Sequence, residues 1–135
     1  MTGLDTNVIL RLLLNDDPTQ KQQAEKALAE AKLGNAPALV VLAVVLEMEW
    51  VLRSSARLHK TRVIDVFRLL METYEIQVES EKVLEQALHT YKNSSADFAE
   101  CLFLAQYQGM GCSHMLTFDK KAARMDGVSL ISGSE

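Results

Sequence analysis

Short apolar runs bounded by turn residues alternate along this chain with longer amphipathic stretches. That alternation predicts strands interleaved with helices. Leu4 leads into Asp5-Thr6-Asn7 and then Val8-Ile9-Leu10-Arg11-Leu12-Leu13-Leu14. The segment reads as a very short strand ending near Asp5, with Thr6 or Asn7 capping a helical turn or two. Asn15-Asp16-Asp17-Pro18 is a turn, and Pro18 suits the first position of the helix that follows. Residues 19–33, rich in Ala, Gln, Glu and Lys, are helical by propensity and stop at Gly34-Asn35.

Residues 38–41 form a β-rich apolar strand, and 44–56 then take helical spacing around Glu47 and Glu49. An amphipathic helix follows over 61–72, with Val63, Ile64, Phe67, Leu70 and Met71 on its apolar face. Ile76-Gln77-Val78 alternates as a strand, and 80–91 is a helix capped by Ser80. After the break at Asn93-Ser94-Ser95, a helix over 96–108 is ended by Gly109 and Gly111. Residues 114–117 read as a strand, 120–125 as a short helix and 128–131 as a last strand. Regular alternation of strand and helix predicts an α/β domain with a mainly parallel sheet.

Composition narrows this picture. The 135 residues fit one domain spanning 1–135, and 48% hydrophobic with 24% charged residues suffices for a folded core. A net charge of −4 argues against a general affinity for nucleic acid, so any such binding rests on local basic patches. Cys101 and Cys112 lack metal-site spacing and read as reduced thiols. The longest apolar stretch, 38–46, falls short of the about 20 residues needed to cross a bilayer. With no secretory pattern at the N-terminus, the expected location is cytoplasmic and away from the membrane.

Acids at element boundaries are the candidate chemistry: Asp5, Glu47, Asp97, Glu100 and Asp119. Asp5 and Asp119 each follow a strand, the position where open α/β sheets bind ligands, although each also suits a helix cap. Glu49 lies four residues before Arg53, a favourable helical ion pair, and reads as a solvated structural residue. Glu47 has no basic residue three or four positions away on either side, and an acid without a partner in an apolar run is costly to desolvate. Asp97 and Glu100 share a helical face, where Ser94-x-x-Asp97 and Asp97-x-x-Glu100 both fit capping boxes.

Two carboxylates about 5 Å apart repel by roughly 3 kcal/mol at an effective dielectric near 20. A converging set of acids therefore calls for a cation or for protonation. All-oxygen ligation suits Mg²⁺ or Mn²⁺. His59, His89 and His114 lack ligand spacing, which disfavours zinc.

Together, Gly3-Leu4-Asp5-Thr6-Asn7-Val8-Ile9-Leu10, Leu46-Glu47-Met48-Glu49-Trp50-Val51-Leu52-Arg53, Ala96-Asp97-Phe98-Ala99-Glu100 and Leu116-Thr117-Phe118-Asp119 resemble PIN-domain ribonucleases, and most closely the toxins of VapBC-type toxin–antitoxin pairs. The resemblance runs through nearly the whole chain in order. It implies a three-layer α/β/α sandwich with a five-stranded parallel sheet in the order 3-2-1-4-5. It also maps Asp5, Glu47 and Asp119 onto the first, second and fourth acids of the family. For the third acid the family register selects Glu100, where relatives usually carry Asp, and Asp97 one turn earlier is the alternative.

The same resemblance implies a Mg²⁺- or Mn²⁺-dependent endoribonuclease leaving 5′-phosphate and 3′-hydroxyl ends, a cognate VapB-like antitoxin and a homodimer. Thr6, Asn7 and Thr117 are expected to hydrogen-bond the acids. Arg53, Arg57, Lys60 and Arg62, and then Lys120, Lys121 and Arg124, are candidate RNA contacts, with solvated helix faces as the plainer reading. Apolar faces of the helices over 24–33 and 63–71 are candidate interfaces, with packing into the core as the default reading, and Trp50 is expected in the core.

Two rivals remain. One is a PIN-fold binding module with a weakened site, suggested by Glu100. The other, a phosphatase-like aspartyl enzyme, is disfavoured because Asn7 stands where Asp-x-Asp would place its second acid.

Overall fold

The computed structural model describes residues 1–33 and 36–132. The helix stop expected at Gly34-Asn35 lies outside the described residues. In chain order the elements are β1 (Thr2–Gly3), α1 (Thr6–Leu13), α2 (Pro18–Leu33), β2 (Ala38–Val40), α3 (Leu42–Ser54), α4 (Lys60–Glu72), β3 (Ile76–Val78), α5 (Glu81–Lys92), α6 (Phe98–Gly109), β4 (Met115–Thr117), a 3₁₀ turn (Ala122–Arg124) and β5 (Val128–Leu130). Each expected strand and helix is present within a few residues, except that 120–125 forms only the 3₁₀ turn. The chain divides into two compact units, Met1–Ser80 and the segment from Glu81 on.

In the first unit β1, β2 and β3 form a parallel sheet, with Thr2 opposite Ala38 and Ala38 opposite Ile76. Ile9 and Leu10 of α1, Val45, Met48 and Leu52 of α3, and Val63, Phe67 and Leu70 of α4 are fully buried around Val40. The apolar face of α4 is thereby used in the core rather than offered as an interface, leaving Leu69 exposed. Pro18 opens α2 as expected, and Asp17 caps it by accepting from the Gln20 amide at 3.0 Å. Val41, at the N-cap of α3, has no side chain able to cap. Glu79, just past β3, does so in its place, accepting from the Leu42 amide at 2.8 Å.

In the second unit α5 and α6 pack as a hairpin through Leu84, Leu88 and Tyr91 against Phe98, Leu102 and Ala105. The Tyr91 and Phe98 rings meet edge to face, their centroids 5.4 Å apart. β4 and β5 pair in parallel, Met115 opposite Val128 and Thr117 opposite Leu130.

The strands are all parallel and the neighbours 3-2-1 and 4-5 are those expected. The expectation of one five-stranded sheet is corrected: among the described residues there is a three-stranded sheet and a two-stranded one. The physical reason lies in β1, the strand on which a continuous sheet would hinge. It has only two residues, both exposed, and one of them is a glycine with no side chain to pack. A strand this short offers few main-chain groups to a second neighbour.

Gly127 turns the chain into β5 at φ +91°, a backbone that side-chain-bearing residues adopt at a cost. A Cβ there would also come 2.8 Å from Gln108 Nε2. Gly127→Ala is therefore expected to lower stability by about 1–2 kcal/mol. Gly3→Ala, with nothing within 4 Å of the added carbon, is expected to change it by less than about 0.5 kcal/mol. Urea denaturation of the two variants checks the contrast.

Candidate functional site

Each candidate acid lies just beyond a strand or in the opening turns of a helix. Asp5 stands between β1 and α1 as the N-cap, and its Oδ1 accepts from the Val8 amide at 3.2 Å. The cap is thus Asp5 itself rather than Thr6 or Asn7. Thr6 is buried, and its hydroxyl donates to Glu47 Oε1 across 41 residues of sequence. Asn7 is exposed, so of the two expected partners only Thr6 reaches an acid.

Glu47 itself is exposed on α3, which corrects the argument that burial makes it costly. The buried acid is its neighbour Glu49, only 4% exposed. The expected ion pair forms, with Arg53 Nε donating to Glu49 Oε2 at 2.9 Å, but it is not a solvated one. The reason is helical phase: Glu49 follows Met48 and Val45 onto the packed side of α3, while Glu47 turns outward.

In the second unit Asp97 is the N-cap of α6 yet makes no capping hydrogen bond, and its side chain is 75% exposed. Ser94 Oγ accepts from the Ala96 amide at 3.3 Å, a local turn rather than the start of a capping box. α6 starts at Phe98, one turn later than a box capped by Ser94 requires, while Asp97 holds the cap position of the second box without making its side-chain bond. Glu100 is half-buried in the first turn of α6.

Asp119 is exposed, and its Oδ1 accepts from the Lys121 amide at 2.8 Å. Its own amide donates to Thr117 Oγ1 at 3.0 Å, so Thr117 fixes the Asp119 backbone, not its carboxylate. Lys121 Nζ lies 3.7 Å from Asp97 Oδ1, which brings Asp97 and the Asp119 turn to one place in this unit. No sequence signal announced that contact between residues so far apart.

Arg57, Lys120 and Arg124 are exposed, Arg62 is 3.9 Å from Asp65, and Lys60 opens α4. Neither buried Cys101 nor exposed Cys112 forms a disulfide. Among the described residues no helix is long and apolar enough to cross a membrane.

The donors are carboxylate and hydroxyl oxygens, the set that a hard divalent cation takes. Within the first unit they are Asp5 and Glu47, and within the second Asp97, Glu100 and Asp119. Among the described residues, neither unit by itself gathers three acids, histidines or cysteines into a metal-holding group.

Residues 4–128 match the model of the PIN domain family, a span that contains all five acids. The chain belongs to the PIN domain family, whose members are generally nucleases that work with divalent metal ions. No curated protein matches it. Among solved structures it is similar to a chain titled toxin–antitoxin complex from Klebsiella pneumoniae, with 18% identity, 96% of each chain covered and a TM-score of 0.34. So distant a likeness decides nothing about activity or partner.

The capping geometry separates structural from chemical roles. Asp5→Ala is expected to cost about 1 kcal/mol through loss of the cap, and Asp5→Asn close to nothing, since Asn caps equally well. Asp97→Asn is expected to stay within about 0.5 kcal/mol, its side chain making no cap bond. Thermal and urea unfolding of the three variants test this. An Asp5→Asn protein as destabilised as Asp5→Ala would contradict the capping geometry.

Proposed function

We propose that this PIN domain, acting over 1–135 as one domain, is a Mg²⁺- or Mn²⁺-dependent endoribonuclease and the toxin of a toxin–antitoxin pair. The observation that carries the reading is the state of the acids in a family of nucleases. Asp5, Glu47, Asp97 and Asp119 are all exposed, and Asp97 occupies a cap position without capping.

On the resemblance of the motifs to the family's acids, we assign the metal to Asp5, Asp119 and either Glu100 or Asp97, with Glu47 ligating it or orienting the attacking water. When bound, Mg²⁺ or Mn²⁺ supplies positive charge at the scissile phosphate and an acidified water. Glu47 Oε1 is engaged by the Thr6 hydroxyl, so Oε2 is the atom available to take a proton from the attacking water. The Thr6 bond holds that carboxylate in one orientation. In-line attack then leaves 5′-phosphate and 3′-hydroxyl ends, as the resemblance implies.

Lys120, Lys121 and Arg124 directly after Asp119, and Arg53, Arg57, Lys60 and Arg62 after Glu47, supply the local positive charge that an acidic protein needs to hold RNA. A cytoplasmic antitoxin partner and a homodimer complete the proposal, on the motif resemblance to VapBC toxins. The cleft of about 590 Å³ among α1, α2 and α4, lined by Leu12, Leu13, Leu28 and Leu69, offers apolar surface for a partner.

A second reading, a PIN-fold binding module with a weakened site, has one structural observation in its favour. Lys121 supplies at Asp97 positive charge of the kind a metal would bring.

Purified protein is expected to cleave RNA with Mg²⁺ or Mn²⁺ and to stop in EDTA. Asp5→Asn and Asp119→Asn, one in each unit, are each expected to lose at least about 100-fold in rate. If both serve one step, the double variant falls little further than either single one. RNA binding without metal-dependent cleavage by the wild type would instead favour the binding module.

The basic stretch has its own test. Replacing Lys120 and Arg124 with Ala is expected to weaken RNA binding and lower the salt slope by about 1–2. An unchanged slope in a salt titration removes these residues from the interface.

A further inference from the structure

Trp50 is the only tryptophan of the chain, and the pattern of its segment placed it in the core. In the structure it is 58% exposed on α3. Isolated exposed apolar residues are ordinary. Trp50 differs because of what lies on either side of it.

Ala43, Glu47, Trp50 and Ser54 recur at helical spacing and are all exposed, while Val45, Met48 and Leu52 occupy the buried side. The core of the unit is therefore complete without the indole. Along the axis Trp50 follows Glu47 by about 4.5 Å, at 1.5 Å per residue. Arg53, whose side chain is 53% exposed beside Glu49, comes one turn later. Exposed Arg57 follows the helix end in a left-handed turn at φ 54°. Along the chain, then, the exposed groups run carboxylate, aromatic plane, cations.

A single-stranded polyanion is held by that combination, a π-face for a base and cations for the phosphates beyond it. A surface for packing against protein would instead continue the apolar character on both sides of the ring. Here half-buried Leu46 and exposed Glu47 lie one turn before the ring and Arg53 one turn after it, with Arg57 past the helix end.

We propose that Trp50 is a base-stacking platform, seating a base of a single-stranded RNA next to the phosphate attended by Glu47, with Arg57 toward the backbone. The inference rests on the ribonuclease reading of Glu47. It adds a substrate-binding residue that selects unpaired nucleotides, since a base inside a duplex has no free face to stack.

Because Trp50 is the sole tryptophan, intrinsic fluorescence reports on it directly. Full-length Asp5→Asn protein is titrated with an unstructured RNA of about 12 nucleotides, with an abasic ribose-phosphate oligomer and with duplex RNA of equal length. Saturable quenching by the single strand, and none by the abasic oligomer or the duplex, is the expected result. In the same background Trp50→Phe is expected to hold affinity within about 3-fold, and Trp50→Ala to raise Kd by about 5- to 150-fold.

If the wild type cleaves RNA with metal but emission and the Kd of Trp50→Ala do not change, the platform fails and the nuclease stands. If the wild type neither binds nor cleaves RNA, both fail. A change of oligomeric state in Trp50→Ala with unchanged RNA affinity assigns the face to a protein partner and overturns the proposal. Should Trp50→Ala not fold, the quenching and abasic titrations of the protein that keeps Trp50 decide alone.

Discussion

Parallel strands release their chain at one edge of a sheet, and that constraint sets where the acids of the first unit can be. β1 and β2 are parallel neighbours, Thr2 beside Ala38. Asp5, two residues past β1, and α3, starting two residues past β2, therefore leave at the same edge. The Thr6 hydroxyl then reaches Glu47, although 41 residues separate them. A threonine suits this place because its methyl fits a buried site while its hydroxyl, which burial would otherwise strand, finds a charged acceptor. The same offset recurs in the second unit, where Asp119 is two residues past β4.

The cost of desolvating a carboxylate sorts the acids further. On α3 two glutamates stand two residues apart and meet opposite fates. Glu49 is turned into the packed side and is compensated by Arg53, whereas Glu47 remains in solvent with a single neutral donor. The compensated acid is part of the fold. The other is spared the desolvation cost of burial and keeps its second oxygen in solvent.

Much of the architecture was legible because its signals are local. Pro18 at the start of α2, the alternation of Ile76-Gln77-Val78 and the helical spacing of Val63, Ile64, Phe67 and Leu70 each depend on a few residues. The positions of the acids after strands were legible for the same reason. What escaped depends on phase or on contacts distant in sequence. The side to which Glu47, Glu49 and Trp50 point follows from which face of α3 packs, and an apolar run such as Val44-Val45-Leu46 does not announce it. The division of the strands into two sheets turns on the brevity of β1. Lys121 beside Asp97 and Glu79 capping α3 join residues that no periodic pattern links.

Capping and chemistry at Asp5 and Asp119 are not competing explanations. At each residue Oδ1 is tied to a main-chain amide, Val8 in one case and Lys121 in the other. A carboxylate held in this way has lost its rotamer freedom before any ligand arrives, so its second oxygen is presented in a fixed direction. Asp97 lacks such a tether and is engaged instead by the side chain of Lys121. A ligand set needs some fixed members to define its position and tolerates others that adjust. On that criterion Asp5 in the first unit and Asp119 in the second are the fixed acids, and Asp97 is the adjustable one.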